Sequence, residues 1–445
     1  MNIPLDNLYH WVESLVQHPM ILYVFRPHGS KDIFDLSQFE DKPAIQYKLS
    51  MAPVVICHDQ EPLNFDDHKF NFDFDRLEQL FLRRGHVKHD FKLSIEMDFF
   101  SHLSSFPNFK PNWLNAAIAS NDWFILLHSE QNSLDVEQFS QSGFVPVYYW
   151  SHAIIARDWY RFAQHDIRLG QKKIQKTFLV YCRDWMPRRE YRLKFLDLLV
   201  DAELVDDCSI STQHTNSQGV HLKDYVAKDP RFAVDTQRLE IIPNNNVSAS
   251  ASADYNVNDL NTTAISVVLE TIVDGDKIHL TEKILRPIAC GHPFVLVAGP
   301  GSLAYLKSYG FKTFDCVIDE SYDQQTDTVK RLEMVVQLMK QIQQLSASDW
   351  EQINTIAAYN KQHFFSDSFK NQVTAELQTN LNHAVEFCLE NRGDTLWRWR
   401  KIIRRKWFHL YGDFFKSNLD KNNIRELRKH RSRRSQNNSS PGIIK

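Results

Sequence analysis

Short apolar, β-branched runs alternate along this chain with longer stretches of helical periodicity, and few architectures accommodate that alternation. MILYVF (20–25), APVVICH (52–58), DWFILLHS (122–129) and FVPVYYW (144–150) form one series. KTFLVYC (176–182), RLEIIP (238–243), AISVVLE (264–270) and PFVLVAG (293–299) form a second, spaced by helix-like segments such as REYRLKFLDLLVDAE (189–203). Strands alternating with helices read as an α/β layer fold, and two successive series read as two Rossmann-like domains. The first domain is expected over residues 1–150, followed by a polar helical linker over 151–175 that carries no strand pattern. The second is expected over 176–389, ending in a helical cap whose periodicity begins at 329. The polar, low-complexity PNNNVSASASAD (243–254) reads as a mobile loop.

A length of 445 residues favours two cores over one, and 24% charged with 12% aromatic residues argues against disorder. No window holds the roughly 18 consecutive apolar residues of a membrane span. Asp6 and Glu13 stand where a secretion signal carries basic residues, so a cytoplasmic protein is expected. The six cysteines are far apart and form no C-x-x-C pair, which reads as reduced, mostly buried thiols. His86 and His89 have a ligand-like spacing, but no second pair completes a metal site. The net charge of −3 hides an asymmetry: residues 398–434 hold 14 Lys and Arg against Asp413, Asp420 and Glu426, a local charge of +11. Residues 1–397 carry −15, so the basic tail is the part built to meet a polyanion.

The stretch KIHLTEKILRPIACGHPFVLVAGPGS (277–302) is the richest in chemistry. Thr281 reads as a helix N-cap, with Glu282 and Lys283 in the first turn, Pro287 as a kink and Gly291 ahead of a buried strand. Orphan backbone N–H groups and the positive dipole end at such a start can hold a phosphate, and Lys283 adds a mobile cation. A structural cap with a solvated lysine is the plainer reading of the same residues.

HLTEKILRPIACGHPFVLVAGP resembles the nucleotide site of the α-1,3/4-fucosyltransferases, inverting GT-B enzymes that carry a Y-x-T-E-K motif, a nearby Arg and a small-residue turn into a V-P-V-V-like strand. The family also carries a Glu on a strand end in F-E-N-S, and Glu270 in SVVLETI stands at a similar, slightly longer offset. CHDQEPLNFD (57–66) resembles the family's E-S-P turn, which implies Glu61 as general base. CRDWMPRREYRLKFLDLL (182–199) resembles the segment opening its nucleotide domain, which implies Arg192 as a diphosphate ligand, with Arg188 and Arg189 as near alternatives. The resemblance further implies Glu282 at the donor sugar and Lys283 at the diphosphate, with Glu270 and His279 lining the donor pocket. His279 stands where the family has tyrosine.

These residue types suit the reaction. Breaking an anomeric bond to a diphosphate builds negative charge on the leaving group, which the Arg192 fork and the Lys283 ammonium would offset without a metal. A carboxylate on the opposite side, Glu61, would take the acceptor hydroxyl's proton. The fold expected from this likeness is GT-B, two Rossmann-like domains facing across a cleft. The function expected is sugar transfer from a nucleotide donor, GDP-fucose as first candidate, to a glycan hydroxyl, with no bound cofactor. Another sugar nucleotide on the same architecture is the nearest alternative. Asp73-Phe74-Asp75 has the D-x-D form of metal-dependent transferases but follows no clear strand. Trp397, Trp399, Trp407, Phe408, Phe414 and Phe415 are interleaved with the tail cations, a composition that suits an anionic membrane surface and, with it, a lipid-linked acceptor. Nucleic acid is the rival partner for the tail.

Overall fold

A computed structural model of the chain describes residues 21–24, 33–35, 54–58, 60–64, 124–141, 144–185, 188–216, 218–245 and 249–390. The D-x-D at 73–75, the pair His86 and His89, and the basic tail beyond residue 390 lie outside the described residues. Contacts divide the chain into two units, Met1–Ser94 with Trp123–Leu389, and Ile95–Asp122 with Glu390–Lys445. Apart from Glu390, every described residue belongs to the first unit.

That unit is mixed α/β and holds two sheets. In the first, β1 (Ile21–Val24), β2 (Ile33–Asp35), β3 (Val54–Cys57), β4 (Phe124–His128) and β5 (Val145–Tyr148) lie in the order β2-β1-β3-β4-β5. β1 and β2 pair antiparallel and the rest are parallel, with Val55 opposite Ile125 and Leu127 opposite Val147. Parallel neighbours need a crossover, and α1 (Leu134–Gln141) supplies it between β4 and β5. The chain then runs through α2 (Ser151–Trp159) into the second sheet.

The second sheet is wholly parallel. β6 (Lys176–Cys182) is joined to β7 (Cys208–Thr212) by α3 (Tyr191–Asp201). After α4 (Val257–Thr262), β8 (Thr263–Leu269) is joined to β9 (Phe294–Val297) by α5 (Glu282–Cys290), and the strand order is β7-β6-β8-β9. TAISVVL and FVLV read as nearly unbroken apolar runs because a parallel strand is covered on both faces, and all four residues of β9 are buried. α6 (Ser302–Ser308), α7 (Thr328–Ile342), α8 (Ala347–Phe365) and α9 (Asp367–Glu390) follow, giving the expected helical end. In α7 the buried Leu332, Val335, Val336 and Met339 recur at helical spacing, and α8 opens with a capping box between Ser346 and Asp349.

Two expectations change. RLEIIP (238–243) is not a strand: Thr236–Ile241 is a 3-10 turn whose start is capped by Asp235, which accepts from Gln237 N at 3.1 Å. The strand beside β6 is instead CSIST, whose Ser209 and Ser211 face a cavity and so lack an apolar signature. The stretch 151–175, read as a polar helical linker, does begin with a helix, but its Ala153, Ile155, Ala156 and Trp159 are buried. Five of the six cysteines are buried and Cys316 is exposed; none is bonded to another. No helix among the described residues is long and apolar enough to cross a membrane.

One apolar core runs through both sheets, from Val55 and Ile125 to Val267 and Val295. Trp150, fully buried just after β5, sits at its centre with ring centroids 4.7 Å from Tyr309 and 5.1 Å from Tyr305. Its indole N–H donates to the Leu280 carbonyl at 2.9 Å, tying the end of β5 to the start of α5. A second tie is polar. Gln131 and Ile278 exchange backbone hydrogen bonds of 3.0 Å, and Lys277 Nζ lies 2.6 Å from Asp135 and 3.0 Å from the buried Glu130. Glu130 also accepts from Leu63 N at 2.6 Å and Ser133 Oγ at 2.5 Å, so it anchors the loop after β3 to the same point.

Lys277→Met leaves the Glu130 carboxylate buried without its cation. The expected loss is about 3–5 kcal/mol in chemical denaturation, with partial recovery on adding Glu130→Gln. A loss below about 1 kcal/mol would show that this tie does not hold the sheets together.

Candidate functional site

The chain leaves β6 toward β7 on one side and later adds β8 on the other. The carboxyl ends of β6 and β8 therefore flank a topological switch point, the crevice in which open α/β sheets bind ligands. A cavity of about 1560 Å³ opens at this point, large enough for a substrate bigger than a nucleotide. Its wall takes Arg183 and Asp184 from the end of β6, Thr271 from the end of β8, and Thr281 to Lys283 from the start of α5. Glu61, from the loop after β3, closes it on the first-sheet side.

The start of α5 is held in place by a buried carboxyl. Glu270, fully buried, accepts from Thr281 N at 3.0 Å and Thr281 Oγ1 at 2.6 Å. Thr281 is the N-cap, its oxygen 3.4 Å from Lys283 N, and Gly291 closes the helix in the left-handed conformation at φ 66°. The helix runs on through Pro287. Lys283 Nζ lies 3.0 Å from both Thr281 Oγ1 and Glu282 Oε1, which leaves its third N–H for another acceptor at the positive helix end.

Four residues singled out from sequence line this one cavity: Glu61, Arg192, Glu282 and Lys283. Glu61 is half exposed, 3.9 Å from Arg189, which also lies 3.5 Å from Asp184. Arg192 is buried, and its fork is engaged by the protein. Nη1 donates to Asp184 O at 2.6 Å, Nη2 to Leu269 O at 2.7 Å and Glu270 O at 3.3 Å, and Nε to the Tyr191 hydroxyl at 3.4 Å. Four of the five guanidinium N–H groups are thus spent on ordering the floor of the site. Arg189, one of the near alternatives, presents its cation to the cavity instead.

Glu270 and His279 stand behind the wall and do not line the cavity. His279 Nδ1 meets the Ser129 carbonyl at 3.2 Å, and Nε2 makes no hydrogen bond among the described residues. His152 was not anticipated, and Arg286, the Arg near the T-E-K motif, was given no role of its own. Glu282 Oε2 lies 3.4 Å from His152 Nδ1, and His152 Nε2 lies 3.1 Å from the Gln60 carbonyl. Arg286, one turn beyond Glu282, covers the Tyr181 ring at 5.3 Å and donates to the carbonyls of Ala251 and Ser252 at 3.1 Å. The Tyr181 hydroxyl reaches Asp259 at 2.8 Å, so the cavity continues past α5 as a chamber with an aromatic wall, a cation and a carboxylate. Arg286 follows the T-E-K motif closely enough that helical spacing alone would have placed it on the cavity side; His152 belongs to no motif.

Among the described residues no group of three or more His, Cys, Asp or Glu is placed to hold a metal ion. His58 and His128, buried beside His279 and Lys277, are lowered to about 4, chiefly by burial. Burial likewise lowers His292 to about 3.

Between the ordinary histidine value of 6.5 and about 4, the unfolded chain binds protons at these three rings that the folded chain refuses. Stability is therefore lost as pH falls through that window, each ring contributing on the order of 3 kcal/mol at its lower end. Thermal midpoints measured from pH 7 to pH 4 should fall steadily, less so in His128→Gln, and a flat profile would contradict the burial of these rings. No family model matches the chain and no curated protein matches it, so its chemistry is read from this geometry.

Proposed function

We propose that the chain is an inverting, metal-independent glycosyltransferase of the two-domain GT-B type that moves a sugar from a nucleotide donor to a glycan hydroxyl. The observation that carries this reading is the shared cavity: Glu61, from beyond β3, and Lys283, at the start of α5, both line it although 222 positions separate them. The likeness of the three sequence stretches to the α-1,3/4-fucosyltransferases supports it, with GDP-fucose as the first candidate donor.

In this reading the diphosphate lies at the N-terminus of α5, where Lys283, Arg189 and the orphan N–H groups offset the charge that builds as the anomeric bond breaks. Arg189 takes the cation's role because the Arg192 fork holds Asp184, Leu269 and Glu270. Glu282 faces the donor sugar. Glu61 takes the proton of the attacking acceptor hydroxyl. The chamber walled by Tyr181, Arg286 and Asp259 receives the nucleoside. The basic, aromatic tail brings a cytoplasmic enzyme to an anionic membrane face and a lipid-linked acceptor.

Calorimetry with GDP, UDP and CMP, in EDTA throughout, tests the reading. One nucleotide should bind selectively, Lys283→Ala should weaken it about tenfold or more, and turnover in that variant should fall by about 10²-fold. Glu61→Gln should keep donor affinity within about twofold while transfer falls by about 10²–10³-fold. Unchanged turnover in Lys283→Ala, or no response to any of the three nucleotides, would sink the proposal.

A further inference from the structure

His152 belongs to none of the stretches that resemble a transferase, yet its ring touches both sides of the cavity. It is the second residue of α2 and is 1% exposed. On one side Nε2 lies 3.1 Å from the carbonyl oxygen of Gln60, the residue bonded to Glu61. On the other, Nδ1 lies 3.4 Å from Oε2 of Glu282, whose Oε1 is 3.0 Å from Lys283. The His279 ring packs edge-on against it, centroids 5.5 Å apart.

Both neighbours are oxygen acceptors. A carbonyl cannot donate, and the Glu282 carboxylate is ion-paired with Lys283. A neutral imidazole offers one N–H and could satisfy one of the two, leaving a ring lone pair facing oxygen in a buried place. The imidazolium offers an N–H to each, at 3.1 Å to the carbonyl and 3.4 Å to the carboxylate.

We infer that His152 is a positioning residue of the proposed transfer reaction: as an imidazolium it clamps the Gln60 carbonyl to the Glu282 carboxylate and so holds Glu61 over the donor end of the cavity. The inference rests on the transferase reading. Glu61 needs such a clamp, because its side chain is half exposed and Arg189, its ion-pair partner among the described residues, is 3.9 Å away. Nucleotide binding does not hinge on it, since the start of α5 is fixed through Glu270 and Arg189 is held by Asp184.

The test uses the full chain with histidine nitrogens labelled, whichever of GDP, UDP and CMP it binds, and the matching sugar nucleotide. Magnetic resonance of the His152 ring should show a proton on both nitrogens at pH 7, and an unprotonated nitrogen there overturns the inference. His152→Phe should lower the rate of nucleotide release from the sugar nucleotide about tenfold or more, with nucleotide affinity within about threefold. His152→Gln, which keeps a neutral donor for the Gln60 carbonyl, should recover part of that rate, and it carries the test alone if the Phe variant fails to fold. Combined with Glu61→Gln, neither substitution should slow the reaction beyond Glu61→Gln itself, because His152 acts through Glu61. Losses that multiply, or affinity and rate falling together, overturn the inference while the transferase reading stands. Failure of the unsubstituted chain to bind any of the three nucleotides overturns that reading, and this inference with it.

Discussion

The buried carboxyl of Glu270 is the point on which the second half of the molecule is assembled. Its backbone N–H donates to Val297 O at 3.0 Å, which registers the end of β8 against β9. Its carbonyl receives the Tyr191 hydroxyl and Arg192 Nη2, which fixes α3 against the same strand end. Its carboxyl oxygens hold the backbone and side chain of Thr281, which fixes where α5 begins. A polar group that is fully buried costs several kcal/mol unless its hydrogen bonds are made, so these contacts are obligatory rather than ornamental. They put the orphan N–H groups of α5 at the mouth of the switch-point cavity, which any anion-binding chemistry here requires.

The cavity's other wall depends on a different kind of constraint. The two sheets share one apolar core, and the polar crossing from Lys277 to Glu130 also grips Leu63 N, two residues beyond Glu61. The loop that carries Glu61 is thus held at one end by Glu130 and, through the Gln60 carbonyl, by His152 at the other. A carboxylate in such a loop keeps a defined position while its side chain stays half exposed, the combination a proton acceptor in a cleft needs.

Much of the fold was legible because parallel strands buried on both faces announce themselves: KTFLVYC, AISVVLE and PFVLVAG coincide with β6, β8 and β9. The Thr281 cap and the Gly291 terminator were legible because each satisfies a local backbone demand that few residue types meet. CSIST was not legible, since the side of β7 facing a cavity replaces apolar residues with serine. RLEIIP misled because its apolar run follows an Asp235 cap that turns the chain before a strand can form. Within the site, sequence placed residues where the backbone motif is local: Glu282 and Lys283 open α5 and line the cavity. Sequence was less informative where a partner comes from afar. Nothing near Arg192 in sequence shows that carbonyls at 269 and 270 occupy its fork, and nothing near His152 shows that Gln60 and Glu282 flank it.

The charges in the cavity are arranged in competing pairs. Lys283 is held by Glu282, and Arg189 is shared between Glu61 and Asp184. On the proposed reading, a diphosphate entering at the start of α5 bids for the same two cations with more charge and better geometry than a single carboxylate offers. As it draws Arg189 toward its oxygens, Glu61 loses its ion-pair partner among the described residues and is left to meet an acceptor hydroxyl. Donor binding and release of the Glu61 side chain are then one electrostatic event. On that reading the half-exposed position of Glu61 suits a carboxylate that changes partners when the donor binds.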